Sequence, residues 1–217
     1  MPDFATRRTI MVDTQVRPSD VTKFPIIDAM LGIPRERFVP DALREMAYLG
    51  DNIDLGDGRV MLSPRSLSKM LDALDIQGDE LVLDVGTALG YSAALMSRLA
   101  EAVVALEDDA SRVREAQAAL AEISADNVAV VEGPLPDGAP QHGPYDVIAV
   151  EGGVEELPQA LEDQLKEGGR VACIFMEGAL GTCRIGYRMD GHISWRFAFN
   201  AAAPVIPGFE KRPSFVF

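Results

Sequence analysis

The chain has 217 residues, of which 47% are hydrophobic and 25% charged, and its formal net charge is -14 at pH 7. This length suits one large domain, and the negative charge would repel a phosphate backbone, so nucleic acid is not an expected partner. No stretch of 18 apolar residues occurs, and the N-terminal segment lacks the apolar core of a secretion signal. We therefore expect no membrane association and a cytoplasmic location.

Cysteine and histidine are scarce. Cys173 and Cys183 are too few for a disulfide framework, and His142 and His192 lie far apart without the spacing of metal ligands. We expect reduced thiols and no metal. The sequence predicts no particular oligomeric state.

The first 62 residues form a predicted N-terminal helical extension. Within it, FPIIDAMLGI has a helical pattern, whereas GDNIDLGDGR is interpreted as an irregular surface segment. The following stretch, SPRSLSKMLDALDI, predicts a helix in which Ser63 can act as the N-cap and Pro64 takes the first position. Its buried face is predicted from residues at helical spacing, namely Leu67, Met70, Leu71 and Leu74.

Strands then alternate with helices. The predicted strands are LVLDV, AVVALE, NVAVVE, YDVIAVE and RVACIF, and the helices between them are GYSAALMSRLA, DASRVREAQAALAEI and LPQALEDQLKEGG. This alternation predicts an α/β, Rossmann-like fold with a mostly parallel sheet and helices on both faces. After it, TCRIGYRMDGHISWRFAF predicts an antiparallel hairpin that turns at Asp190-Gly191. We expect one domain, divided into the extension (1–62), the α/β core (63–175) and the hairpin with its tail (176–217).

The stretch LVLDVGTALGYSAA places an acid and two glycines where a strand gives way to a helix. Ligands of parallel sheets bind at the carboxyl ends of the strands. A dinucleotide loop has G-x-G-x-x-G, but here Ala88 and Tyr91 stand at two of the glycine positions. S-adenosylmethionine fits better, because carboxylates such as Asp84 and Glu107 can bind its cationic groups and ribose diol. Alternatively, both acids cap helices, as Asp108 or Asp109 could.

Several motifs together resemble the protein-L-isoaspartate O-methyltransferases, a family of class I S-adenosylmethionine-dependent methyltransferases. They are MVDTQVR, IPRERFVP, AYLGDNIDLGDGR, the acid-glycine loop, VVALEDD, GPYDVIAVEGG and LPQALEDQLKEGGRV, in the family's order. The resemblance covers most of residues 11–175. It implies methyl transfer from S-adenosylmethionine to the carboxylate of isoaspartyl residues in damaged proteins or peptides, the first step of protein repair.

The resemblance also implies which residues hold the cofactor. Around its methionine end it places Asp84, Gly86, Thr87, Ala88, Gly90 and Tyr91. It places the ribose beside Glu107 and Asp108, and it places the adenine beside the segment Gly133, Pro134 and Leu135.

The chain departs from the family pattern at three places. Ala88 and Leu89 replace small or polar loop residues, which puts a methyl group where backbone would meet the cofactor. The family's G-D-G becomes Gly133-Pro134-Leu135, and Asp137 comes three residues late to contact the adenine.

The third departure lies in the substrate motif. The family's I-S-Q-P, whose serine lies beside the reacting carboxylate, is MLSP here. Position by position the serine becomes Leu62, and Ser63 takes its role only if the chain is shifted by one residue. Ser63 as a helix cap is the alternative.

A carboxylate with a pKa of about 4 is already ionised at neutral pH, so this reaction needs no general base. Proximity and orientation can supply the catalysis. The favoured hypothesis is an isoaspartyl O-methyltransferase. The alternatives are a methyltransferase of the same fold for another acid or small molecule, and a non-catalytic paralogue that acts as a binding module. The Asn/Asp-Pro-Pro-Tyr motif of amino-group methyltransferases is absent, since the fourth strand ends VEGGVEE.

Overall fold

The N-terminal part of the chain is mostly helical. The computed structural model describes residues 2–211, so the end of the predicted tail lies outside the described residues. The helical segments before the first strand are α1 (Phe4–Met11), a π-helical turn (Val12–Val16), a 3-10 turn (Arg17–Ser19), α2 (Phe24–Gly32) and two further 3-10 turns (Arg35–Arg37 and Asp41–Met46). None of the helices within residues 2–211 is long and apolar enough to cross a membrane.

The extension ends in a small antiparallel hairpin. Strands β1 (Ile53–Gly56) and β2 (Arg59–Met61) pair with each other. They turn at Asp57 and Gly58, which both have positive φ, 53° and 72°. The interpretation of this stretch as an irregular surface segment was therefore wrong: Asp-Gly is the same two-residue hairpin signal that was recognised at Asp190-Gly191. The hairpin turns the side chain of Arg59 inward, where it is only 2% exposed.

Helix α3 (Pro64–Leu74) follows the hairpin directly. Ser63 is its N-cap, since the Ser63 hydroxyl oxygen accepts a hydrogen bond from the Ser66 amide at 3.2 Å. The predicted buried face is confirmed, and its members Leu67, Met70, Leu71 and Leu74 are all fully buried.

A seven-stranded sheet forms the centre of the molecule. Its strands are β3 (Leu81–Val85), β4 (Ala102–Glu107), β5 (Val128–Glu132), β6 (Tyr145–Val154), β7 (Leu165–Glu177), β8 (Leu180–Met189) and β9 (His192–Asn200). Their spatial order is β5-β4-β3-β6-β7-β8-β9. The first five strands are parallel and the last two antiparallel, which confirms the predicted fold. Asp190 and Gly191 form the final turn with φ of 52° and 75°.

Helices cover both faces of the sheet, and the sheet lies between two apolar cores. The remaining helical segments are α4 (Tyr91–Met96), α5 (Ala110–Glu122), α6 (Gln159–Asp163) and 3-10 turns at Leu135–Asp137 and Pro140–His142. One core contains Leu71 of α3 and Leu95 of α4, and the other contains Leu161 of α6. Helix α6 is shorter than LPQALEDQLKEGG predicted, because Leu165 is buried and already pairs with Tyr145 in the sheet.

The connection order reverses at β3, which lies between β4 and β6. Such a switch point opens a crevice at the carboxyl ends of the strands, where ligands of α/β proteins bind. In the sheet register Val85 of β3 pairs with Leu106 on one side and with Val150 on the other. The next residues along these strands are Glu107 and Glu151, so two acids flank the start of the loop that follows β3.

A buried arginine, Arg35, links the N-terminal extension to helix α4, which follows the loop after β3. Arg35 Nε donates to the Ala47 carbonyl and its Nη2 to the Leu62 carbonyl, both at 2.7 Å. The guanidinium carbon lies 4.7 Å from the ring centre of Tyr91 on α4. One side chain thus joins the extension, the segment before α3 and helix α4.

We predict that Arg35→Met lowers the free energy of unfolding by about 2 to 4 kcal/mol, because two buried carbonyl groups lose their donor. Arg37→Met is the matched control, since Arg37 pairs with Glu122 at the surface and a surface pair contributes about 0 to 1 kcal/mol. Urea denaturation of parent and both variants measures the difference. Equal losses in the two variants would contradict this function of Arg35.

Candidate functional site

The loop after β3 is shaped by hydrogen bonds to its neighbour β4. The amides of Gly86 and Thr87 both donate to the Leu106 carbonyl, at 2.9 and 3.2 Å, and the Gly90 amide donates to the Thr87 carbonyl at 2.8 Å. Gly86, Ala88 and Gly90 all have positive φ, 79°, 51° and 93°. Ala88 is the residue for which this backbone conformation is unfavourable. A side chain at Gly90 would lie 3.3 Å from Ala116 of α5, so Gly90 allows the helix to pack closely.

Asp84 is fully buried at the end of β3. Ser92 Oγ donates to Asp84 Oδ2 at 2.7 Å, while Asp84 Oδ1 has no hydrogen-bond partner. Burial raises the pKa of Asp84 to about 6, although the Ser92 and Thr87 hydroxyls and Arg59 act in the opposite direction. An unpaired buried acceptor beside a glycine is suited to receive a ligand's donor. Sequence reasoning found Asp84 but missed Ser92.

Glu107 is fully buried at the end of β4, and both of its carboxylate oxygens accept hydrogen bonds from the protein itself. Arg59 binds it with two hydrogen bonds, Nη1 to Oε1 at 3.1 Å and Nη2 to Oε2 at 2.9 Å. The Ala88 amide also donates to Glu107 Oε2, at 2.8 Å. Arg59 Nη1 reaches Asp108 Oδ1 as well, at 3.1 Å. The predicted ribose-binding acid therefore holds an arginine in this structure.

Neither acid caps a helix. The N-cap of α5 is Asp109, whose carboxylate accepts from the amides of Ser111 and Arg112, both at 2.8 Å. Helix α4 begins without a side-chain cap. The capping alternative for Asp84 and Glu107 is thus wrong, because Asp84 accepts from the Ser92 hydroxyl and Glu107 accepts from Arg59 and the Ala88 amide.

A third acid, Glu151, directly follows Val150, the last residue of β6 that pairs with β3, and it was not singled out from the sequence. Its side chain is 4% exposed and its Oε1 has no hydrogen-bond partner. Burial raises the pKa of Glu151 well above its usual range, and the charge of Asp84 adds to this, while Arg35 and Arg59 oppose it. The signal was present, since Glu151 closes the strand YDVIAVE just as Asp84 closes LVLDV.

Two cavities lie at this edge of the sheet. The inner cavity has about 10 Å³ of free space, room for about one water. Its lining includes Leu62, Thr87, Ala88, Tyr91 and Glu151. The outer recess is open and has about 430 Å³. Its lining includes Asp108, Gly133, Pro134 and Leu135.

The two residues predicted for the substrate motif, Leu62 and Ser63, have different surroundings in the structure. Leu62 lines the inner cavity, whereas the Ser63 hydroxyl caps α3 and donates to Ser66 Oγ at 3.0 Å. Asp137 lies outside both cavities, and its carbonyl accepts from Gln164 at 2.8 Å. That it comes too late in the chain to replace the family's adenine-binding acid stays a prediction.

Arg59 and Ile206 cover the loop. A side chain at Gly86 would begin 2.7 Å from Arg59 Nη2 and 3.6 Å from Ile206 Cδ1. Ile206 is held over β6 because its amide donates to the Gly153 carbonyl at 2.9 Å. A side chain at Gly152 would collide with Ile206 at 2.5 Å.

The residue types in this crevice fit S-adenosylmethionine, the cofactor that the family resemblance implies. Carboxylates at adjacent strand ends suit its cationic groups and ribose diol, and Asp84 Oδ1 and Glu151 Oε1 are buried acceptors without donors. The free space does not fit it while Arg59 covers Gly86, because the inner cavity is far smaller than the methionine part of the cofactor.

Comparison with known protein families gives one family model. The model of protein-L-isoaspartate(D-aspartate) O-methyltransferase (PCMT) matches residues 8–179. A protein-L-isoaspartate O-methyltransferase of Syntrophus aciditrophicus is 39% identical over 171 residues, which cover 79% of this chain and 78% of that protein. Protein-L-isoaspartate O-methyltransferase 1 of Rhodopseudomonas palustris is 36% identical over 168 residues, 77% of this chain and 69% of that protein.

Solved structures show the same fold. A protein-L-isoaspartate O-methyltransferase superposes with a TM-score of 0.79 at 25% identity, covering 95% of this chain and 66% of the other. A beta-aspartate methyltransferase from Plasmodium falciparum, solved in complex with S-adenosyl-L-homocysteine, has a TM-score of 0.78 at 16% identity and covers 95% and 99% of the two chains.

The buried acid on β6 gives a prediction of pH-dependent stability. The pKa of Glu151 is higher in the folded than in the unfolded chain, so the folded chain holds more protons and the parent loses stability as pH rises above the unfolded pKa. The loss continues until the folded pKa is reached. Glu151→Gln removes this contribution.

The stability of Glu151→Gln relative to the parent should therefore increase from pH 5 to pH 8. Urea denaturation at both pH values measures this difference. Glu101→Gln, a change at an exposed glutamate, is the control and should differ from the parent equally at the two values. A Glu151→Gln difference that is the same at pH 5 and pH 8 would refute the raised pKa of Glu151 in the folded chain.

Proposed function

Because this chain belongs to the protein-L-isoaspartate(D-aspartate) O-methyltransferase family, we propose that it transfers the methyl group of S-adenosylmethionine to L-isoaspartyl carboxylates of damaged proteins. The observation that carries the proposal is the set of three buried acids at adjacent strand ends, Asp84, Glu107 and Glu151, around the start of one glycine-containing loop. When bound, the cofactor supplies an electrophilic methyl group on a positively charged sulfur.

In this proposal, different residues of the crevice bind different parts of the cofactor. Asp84 Oδ1, which has no partner in the protein, would accept from the ammonium group. Glu107 and Asp108 would accept from the ribose hydroxyls, and the outer recess beside Gly133 and Leu135 would receive the adenine. Each of these contacts with Asp84 or Glu107 would be a hydrogen bond to a charged group, which is the stronger kind.

The methyl-transfer end would lie in the inner cavity, whose walls are mainly apolar, among them Leu62, Leu67 and Leu89. Apolar walls exclude water, and the substrate carboxylate is already an ionised nucleophile at neutral pH. The protein then only needs to hold carboxylate, methyl group and sulfur in line. The raised pKa of Glu151, caused by burial, suits this task, because it favours the neutral form, which does not repel the substrate carboxylate.

The charge of the chain supports a protein substrate over a nucleic acid, since a net charge of -14 repels phosphates. A cytoplasmic location is also part of the proposal. It is supported by Cys173 and Cys183, which are both buried and free, as is usual in reducing compartments.

The direct test is labelled methyl transfer from S-adenosylmethionine to a synthetic peptide that contains one L-isoaspartyl residue. We expect the label to enter this peptide, and not a control peptide of the same sequence with ordinary aspartate. Binding of the cofactor without any transfer to the isoaspartyl peptide would refute the proposed substrate and favour a methyltransferase for another acid. Absence of cofactor binding under all conditions would favour the binding-module alternative.

A second prediction concerns the substrate motif. Leu62 lines the inner cavity, so Leu62→Ser should place a hydroxyl beside the substrate carboxylate and raise the methylation rate per folded molecule above that of Leu62→Ala. The alanine variant is the matched control, because both changes leave a cavity and cost about 2 to 5 kcal/mol of stability. Equal rates in the two variants would contradict the placement of Leu62 at the reacting end.

The same assay tests Ser63, the other candidate for the role of the family's serine. Because Ser63 is the N-cap of α3, Ser63→Ala should lower the free energy of unfolding by about 1 kcal/mol. It should leave the methylation rate per folded molecule unchanged. Melting temperature and methylation rate are measured on the same preparation. A lower rate at unchanged cofactor affinity would instead assign the serine to the substrate.

A further inference from the structure

Arg59 lies where a cofactor would have to pass. Its Nη1 contacts Asp108, which lines the outer recess, and its Nη2 is the atom closest to the open side of Gly86, which lines the inner cavity. The guanidinium thus lies between the two cavities. A ligand with one end in each cavity and Arg59 in its present position would occupy the same space.

The contacts of Arg59 show that this position is a stable one. Its two hydrogen bonds to Glu107 are charge-assisted and bidentate, the strongest geometry available to an arginine side chain. Both side chains are almost completely shielded from solvent, so water screens the attraction little. The carboxylate that a ribose diol would use is therefore already occupied by a partner within the chain.

The hairpin β1–β2 carries Arg59 and is itself tied to the same region. Arg112 of α5 donates to Asp57 Oδ2 at 3.0 Å and to the Gly56 carbonyl at 3.2 Å. Arg112 also lies 3.9 Å from Glu107 Oε1, but Arg59 is the arginine found next to Gly86. The two arginines therefore share a charged neighbour and differ in whether they block the crevice.

We propose that Arg59 is an internal competitor for the cofactor site, so that S-adenosylmethionine binds only when the Arg59 side chain leaves Glu107 and Gly86. The inference rests on the proposed function only in its choice of ligand. The apparent affinity of the site is then reduced by the fraction of molecules that are closed. Arg59 sets how much cofactor the protein needs before it becomes active.

The first experiment measures the affinity of the full chain for S-adenosylhomocysteine by titration calorimetry. Arg59→Gln should bind about tenfold or more tightly than the parent, because no ion pair has to break. Arg112→Gln removes a positive charge near Glu107 and a tie to the hairpin, but it leaves Arg59 on Glu107 and beside Gly86, so any tightening should be smaller than that of Arg59→Gln. Unchanged or weaker binding by folded Arg59→Gln overturns the proposal, and so does equal tightening in both variants.

The second experiment uses the parent protein, since Arg59→Gln leaves Glu107 without its partner and could fail to fold. An arginine-selective dicarbonyl reagent, followed by mass spectrometry, reports whether Arg59 is accessible. Arg59 should be protected in the free protein and become reactive as S-adenosylhomocysteine is added. Saturation with this ligand while Arg59 stays protected overturns the proposal.

These outcomes are separate from those of the methylation assay. A protein that binds S-adenosylhomocysteine with release of Arg59, but methylates no isoaspartyl peptide, contradicts the proposed substrate and supports the competitor. A protein that methylates the peptide while Arg59 stays protected supports the proposed function and overturns the competitor.

Discussion

The buried ion pair between Arg59 and Glu107 is the interaction on which the site depends. It joins the hairpin of the N-terminal extension to the end of β4, and Glu107 in turn fixes the loop after β3 through the Ala88 amide. Three segments that are distant in sequence therefore meet at one carboxylate. Arg59 stabilises the negative charge of Glu107 there, because an isolated buried charge would be strongly destabilising.

Much of the fold could be predicted because it follows from local patterns. The alternation of strands and helices, the buried face of α3 and the turn at Asp190-Gly191 each depend on residues that are close in sequence. The hairpin of the extension carried the same Asp-Gly signal, but the polar residues around it favoured a surface loop. Helix α6 ended early because pairing of Leu165 in the sheet outweighed its helical surroundings.

The site was only partly predictable. Asp84 and Glu107 could be found from their positions at strand ends, and Glu151 could have been found by applying the same rule to β6. The role of Arg59 could not be found, because its partner is 48 positions away and an arginine next to a hairpin turn looks like a surface residue. The occupied state of Glu107 depends on tertiary contacts, which no local pattern encodes.

The pairing of Arg59 with Glu107 also limits how such a protein can evolve. Loss of either side chain alone would leave the other as a buried, uncompensated charge, which typically costs about 3 to 5 kcal/mol, a large share of the stability of an ordinary domain. A lineage that opens its crevice by replacing Arg59 would thus need a compensating change or a spare reserve of stability. Because Glu107 is also the proposed ribose-binding acid, that compensating change is expected at other positions of the crevice and not at position 107.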